Sequence, residues 1–165
     1  MIWTLTRALP SDWDRAWAIQ HDAFLDYVTR TYGGWAPAEI EKCARAWAPR
    51  STQMLHVDGT LAGWVRLEHR ADCDWLDLLV IAPERQRQGL GTFLVRSMMS
   101  DAERRGVPLW LSVHRNNDAR RLYARLGFRE VYRDERRVFM VHPASTDSPP
   151  PSTASPPPSE PAAPR

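Results

Sequence analysis

The sequence predicts an α/β protein, a mixed and mostly antiparallel central sheet with helices on both faces, in a single domain over residues 1–142 with a Pro/Ser-rich tail over 143–165. Three observations predict this. Segments of period-two and period-3.6 apolar spacing follow one another as strand, two helices, three strands, helix, strand, helix and two strands. Asp58-Gly59 between two apolar runs is a hairpin signal. The stretch from Leu79 to Val113 reads as strand, turn, helix, strand, which requires a right-handed crossover and hence one parallel pair in an otherwise antiparallel sheet.

The elements follow in order. Ile2 to Thr6 alternates apolar and polar residues and predicts a short strand ended by Leu9-Pro10. Ser11-Asp12 offers an N-cap for a helix carrying Trp13, Trp17, Phe24 and Val28 on one face. The segment TYGGWAP, Thr31 to Pro37, breaks that helix, and a second is expected over Ala38 to Trp47, stopped by Pro49. The hairpin strands are Thr52 to Val57 and Leu61 to His69. Asp74 to Ala82 is the most apolar strand and is expected at the sheet centre. A helix over Leu90 to Arg105 carries Phe93, Leu94, Met98 and Ala102, and Gly106 terminates it. Pro108 to Val113 is a buried strand, Asp118 to Leu126 a short helix, and Phe128 to Tyr132 with Arg137 to His142 a closing hairpin.

Composition narrows the function. The chain has 165 residues, enough for one substantial core, and 43% of them are hydrophobic. Lys and Arg number 22 against 20 Asp and Glu, a net charge of +2, so neither nucleic acid nor an anionic membrane is an expected partner. The Arg-rich stretch from Arg120 to Arg137 is preceded by Asp118 and interrupted by Glu130, Asp134 and Glu135, and reads as a solvated face. Cys43 and Cys73 lie far apart without metal-ligand spacing, so a disulfide framework and a metal site are not expected and the cytoplasm is the expected compartment. No run of about 18 apolar residues exists, so no membrane span is expected. Nine of the 14 prolines fall from Pro143 on, with no large apolar residue among them, and the tail is expected to be disordered.

The stretch with the most chemistry is LVIAPERQRQGLGT, Leu79 to Thr92. An apolar strand meets a proline, then a polar turn closing on Gly89 and Gly91, and a helix begins at once. Backbone N–H groups of such a turn and of a helix N-terminus form a site for phosphate. No Lys follows the glycines, so it is not a nucleoside-triphosphate loop, and no glycine opens the turn, so it is not a dinucleotide fingerprint.

Together with a second motif, LSVHRNNDARRLYARLGF, this loop resembles the GNAT family of N-acetyltransferases over about residues 52 to 140. The first motif matches the family's strand, proline and Q/R-x-x-G-x-G/A loop; the second matches its strand followed by N-x-x-A-x-x-L-Y-x-x-x-G-F. The resemblance implies acetyl-CoA as co-substrate and direct transfer of its acetyl group to a primary amine of a small molecule or protein. It implies that Gln86, Arg87, Gln88, Gly89, Leu90, Gly91 and Thr92 hold the pyrophosphate and that the main chain of Leu79, Val80 and Ile81 pairs with the pantetheine arm. An N–H there, that of Ile81, would face the thioester carbonyl. It places Asn116 on the CoA arm, with Asn117 as the alternative if the loop is counted from the strand, and Tyr123 as general acid for the departing thiolate.

The general base stays open among Asp77, Glu68 and His114. Asp77 alternates with Leu76 and Leu78, so a carboxylate points from an apolar strand, either as a site residue or as the partner of Arg66 or another Arg of the sheet. Ser112 stands where some relatives carry a Glu base. Around Gly33-Gly34 gather Tyr27, Tyr32, Trp35 and Trp47, which serve either as a lid over the amine or as core. The alternative reading of the chain is a CoA-binding sensor or partner-binding module without turnover, and a homodimer is a possible assembly.

Overall fold

The computed structural model describes residues 1–144, so the tail expected from Pro143 lies almost wholly outside the described residues. Its elements are β1 (Trp3–Arg7), α1 (Trp13–Tyr32), α2 (Pro37–Arg45), β2 (Thr52–Val57), β3 (Thr60–His69), β4 (Asp74–Ile81), α3 (Leu90–Arg104), β5 (Leu109–His114), α4 (Ala119–Arg125), β6 (Arg129–Arg133) and β7 (Arg137–His142). The strands form one seven-stranded sheet in the order β1-β2-β3-β4-β5-β7-β6, with β4 fourth, as its apolar sequence predicts. Every described pairing is antiparallel except that of β4 with β5, which is the parallel pair the crossover demands. The chain divides into two compact units, one of Met1–Glu68 with Asp77–Gly91, the other of His69–Leu76 with the chain from Thr92 on.

In the first unit the hairpin forms where expected. Asp58 and Gly59 both have positive φ, 49° and 77°, the conformation that a two-residue turn with the strand twist requires. One glycine has a role the sequence did not announce. A Cβ on Gly63 of β3 would lie 2.2 Å from the Val80 carbonyl oxygen, so β3 and β4 can approach at that point only because Gly63 has none. Beside it, the Ala82 N–H donates to the Ala62 carbonyl at 2.8 Å.

The start of α1 departs from expectation. Asp12 does not cap the helix with its side chain; the chain makes a 3-10 turn over Pro10–Asp12, and the carboxylate accepts the Leu9 N–H at 2.8 Å. The buried residues of α1 are Ala16, Gln20 and Val28, while Trp13 and Trp17 stack at 5.6 Å half-buried. Ala16 is small because Trp64 of β3, 1% exposed, lies against the helix there and donates its indole N–H to the Ala16 carbonyl at 3.0 Å. Gly33 ends α1 with φ 80° and donates to the Thr29 carbonyl, the left-handed cap that glycine adopts without penalty. Helix α2 starts at Pro37, in the first-turn position proline favours, and ends two residues before the expected Trp47.

The second unit packs Cys73, Trp75, Trp110, Phe139 and Val141 into one cluster. Asp74, fully buried, shares one carboxylate oxygen between Arg105 and His69 Nδ1, the latter at 2.8 Å. Helix α3 buries Leu94, Val95, Met98 and Ala102 and leaves Phe93 44% exposed. The expected stripe was therefore displaced: Phe93 shares its helix face with Ser97 and Ser100, whereas Val95 lies three residues before Met98 and seven before Ala102. Phe128, expected as the first residue of the closing hairpin, is buried just ahead of β6.

Candidate active site

The loop after β4 is held by its own side chains. Pro83–Arg85 forms a 3-10 turn, after which Gln86 returns to extended backbone. The Gln86 side-chain amide donates to the Ile81 carbonyl at 2.9 Å and that of Gln88 to the Glu84 carbonyl at 2.8 Å. Arg87 and Gly89 are both left-handed, φ 59° and 86°, and α3 begins at Leu90. Left-handed residues interposed in a turn are how a chain makes a concavity of N–H groups for an anion. A Cβ on Gly89 would meet no protein atom within 4 Å. Its glycine is required by φ, and the space beyond its Cα is open, the condition for a phosphate to approach main chain. Gly91, in contrast, is the second residue of α3. These observations fit the acyl-CoA loop expected from the sequence, and they give Gln86 and Gln88 a part in shaping the loop that residue type alone did not specify.

In the second unit β5 pairs with the start of β4 through Asp74↔Leu109, Trp75↔Trp110 and Leu76↔Leu111. Past the end of β5, the side chain of Asn117 accepts the Ala119 N–H at 2.9 Å and so starts α4. Asn116 beside it is exposed. Tyr123 is 8% exposed, with its ring edge-on to Phe128 at 5.7 Å. Burial pushes its phenol up to about 12, so it keeps its proton throughout the neutral range. His114, half-buried at the end of β5, is lowered by burial and then by the Arg137 and Arg136 guanidinium groups, with Asp134 opposing. Its imidazole therefore stays neutral, with its lone pair free, to a lower pH than an ordinary His, and is a somewhat weaker base for it. Ser112, two residues before it on the same strand face, accepts a hydrogen bond from Arg137 at 3.3 Å.

Of the other base candidates, Asp77 accepts from Arg66 Nε in an ion pair whose side chains are 7% and 13% exposed. The structure thus contains the pairing of Asp77 with Arg66 that the sequence offered as one reading. Glu68 sits half-buried on β3.

The four aromatic residues near Gly33-Gly34 fall into separate groups. Tyr27 meets Tyr32 edge-on at 6.3 Å, and Tyr32 is 55% exposed. Trp35 instead packs on Trp17 at 5.0 Å and donates its indole N–H to the His21 carbonyl at 3.3 Å. Trp47 bridges Trp13 at 5.8 Å and Trp64 at 5.6 Å. Trp35 and Trp47 are therefore anchored by packing, and Tyr32 is the ring most open to solvent. Among the described residues no helix is long and apolar enough to cross a membrane, and no group of three His, Cys, Asp or Glu is arranged to hold a metal.

The comparison with known proteins agrees with this geometry. The family described as "Acetyltransferase (GNAT) family" matches residues 13–128. The ribosomal protein bS18-alanine N-acetyltransferase of Escherichia coli strain K12 is 44% identical over 79 residues, 47% of this chain and 53% of that protein, so the chain spans about half the length of the curated relatives it matches. The crystal structure of the E. coli ribosomal-protein alanine N-acetyltransferase superposes with TM-score 0.66 and 26% identity, over 89% of this chain and 97% of that one. The PaiA N-acetyltransferase of Thermoplasma acidophilum, solved in complex with coenzyme A, has the same fold at TM-score 0.70 and 19% identity, over 86% and 98% of the two chains. The fold and the family match thus agree on the class of protein, a GNAT-type α/β fold. The chain belongs to the GNAT acetyltransferase family.

Proposed function

We propose that residues 1–142 form an enzyme that moves the acetyl group of acetyl-CoA directly onto the N-terminal α-amine of a protein. The observation that carries the reading is the loop Gln86–Gly91, open at Gly89 and seated on the start of the 15-residue α3, in a chain matched to the family over residues 13–128. The protein acceptor is supported by the E. coli relative, which by name acetylates an alanine of a ribosomal protein.

Each role follows from chemistry already described. The N–H groups from Arg87 to Thr92, with the positive end of α3, would hold the pyrophosphate, and Asn116 would contact the CoA arm. The main chain of Leu79, Val80 and Ile81 would align the thioester, with the Ile81 N–H donating to its carbonyl oxygen as negative charge develops there. His114 would take the proton shed by the attacking amine as the new C–N bond forms. Tyr123, whose phenol is still protonated, would deliver its proton to the thiolate as the C–S bond breaks. Tyr27, Tyr32 and Trp35 would line the approach of the acceptor.

The reading is tested by incubating the full chain with acetyl-CoA and paired peptides, one with a free N-terminal alanine and one with that amine blocked but a Lys side chain retained. Mass spectrometry is expected to find one added acetyl group on the free N-terminus alone. Acetylation of the Lys peptide alone would refute the α-amine acceptor, and CoA binding without modification of either peptide would favour a CoA-binding module.

A further inference from the structure

Helix α2 has few anchors, one of them the Gln20 side chain of α1, which reaches the Cys43 sulfur at 3.9 Å. It has nine residues, none of them buried, and its N-cap Ala36 offers no side-chain hydrogen bond. Helices of this length are marginal without tertiary contacts, so something outside α2 must fix its position. One group does so at its C-terminal end. Arg66 of β3 donates from Nη1 to the carbonyl of Ala46, the C-cap residue of α2, at 2.8 Å, while its Nε binds the Asp77 carboxylate on β4. A cation at a helix C-terminus meets the negative end of the helix dipole as well as an unsatisfied carbonyl. The next residue, Trp47, is clasped between Trp13 and Trp64. A single, nearly buried guanidinium therefore ties the end of α2 to strand β4 two residues before Leu79.

We infer that Arg66 is a positioning residue for the acceptor and that Asp77 is its counterion, not the general base. This rests on the proposed function, in which Leu79 to Ile81 align the thioester and the segment joining α1 to α2 lines the acceptor's approach. The fork of the guanidinium is what the role needs. Two different partners, a carboxylate and a carbonyl, are reached from two nitrogens in one plane, and a Lys ammonium cannot reproduce that span. Losing the tie would let α2 shift while leaving the pyrophosphate loop, which is braced by Gln86 and Gln88, as it is.

The test uses the full chain, acetyl-CoA and the peptide with a free N-terminal alanine. Arg66→Lys is expected to raise the peptide KM by roughly ten-fold or more, with the acetyl-CoA KM and kcat within about three-fold of wild type. Equal peptide KM in a folded Arg66→Lys protein overturns the inference, as does a matching rise in both KM values, which would indicate general loosening. Asp77→Asn, which keeps an acceptor oxygen for Arg66 without the charge, provides a second arm should the first variant not fold. It is expected to keep kcat within a few-fold, and a hundred-fold loss of kcat with CoA binding retained would restore Asp77 as base and overturn the assignment. If the wild-type protein acetylates neither peptide, the functional reading itself has failed, an outcome distinct from failure of the Arg66 role.

Discussion

The loop Gln86–Gly91 and the aromatic segment from α1 to Trp47 are held in place in different ways. The loop is braced by side chains a few residues away: Gln86 reaches Ile81 and Gln88 reaches Glu84, and two left-handed residues shape the turn. The aromatic segment is held from far off, by Trp64 on Ala16, by Trp47 between two other tryptophans, and by Arg66 on Ala46. A cofactor common to a whole family can be read by a local motif built largely from main chain. In the proposed function the acceptor would instead be met by side chains whose placement depends on the core.

The largest expected effect lies in the loop. Gly89→Glu puts a side chain and a negative charge into the open space beyond Cα and forces a non-glycine to φ 86°. Calorimetry is expected to detect no CoA binding by the folded variant, and wild-type affinity would mean the loop is not the phosphate site. In the aromatic segment the effect is on stability. Trp64→Ala empties the site against Ala16 and is expected to cost about 3–5 kcal/mol in urea unfolding. A cost below about 1 kcal/mol would break the contrast, since the segment would then not depend on its distant anchor.

The smallest of the expected effects concerns the chemistry. Tyr123→Phe is expected to lower kcat by about 10²-fold with acetyl-CoA affinity retained, and unchanged turnover would remove Tyr123 from the acid role. The pH profile sharpens the base assignment. Because His114 is lowered below an ordinary His, its neutral form persists into weakly acidic solution. The acid limb that His114 contributes to kcat at saturating peptide is expected below pH 6.5, the usual value, and is expected to be lost in His114→Gln. An unchanged limb in that variant would pass the role to another group.

How much was legible in the sequence follows from the same contrast. The hairpin at Asp58-Gly59, the parallel crossover and the loop could be read because each is encoded in neighbouring residues. The Asp12 cap was misread because Pro10 starts a 3-10 turn that carries the carboxylate to Leu9 instead. Phe93 was assigned to the core because its apolarity outweighed a one-residue difference in helical angle. Gly63 against Val80, Arg66 against Ala46 and the buried Asp74 with His69 and Arg105 were not legible, since each depends on register between segments distant in the chain. The pairing of Asp77 with Arg66 was visible as one of two readings, and the register of β3 with β4 brings that pair together.

Acyl transfer itself is read in the initial rate of thiol release from acetyl-CoA as the concentration of the alanine peptide is raised. A saturable rise over the peptide-free rate is expected, absent when the same peptide is blocked at its N-terminus. A rate that stays at the peptide-free level at every concentration, from protein that binds CoA, would contradict the proposed transfer.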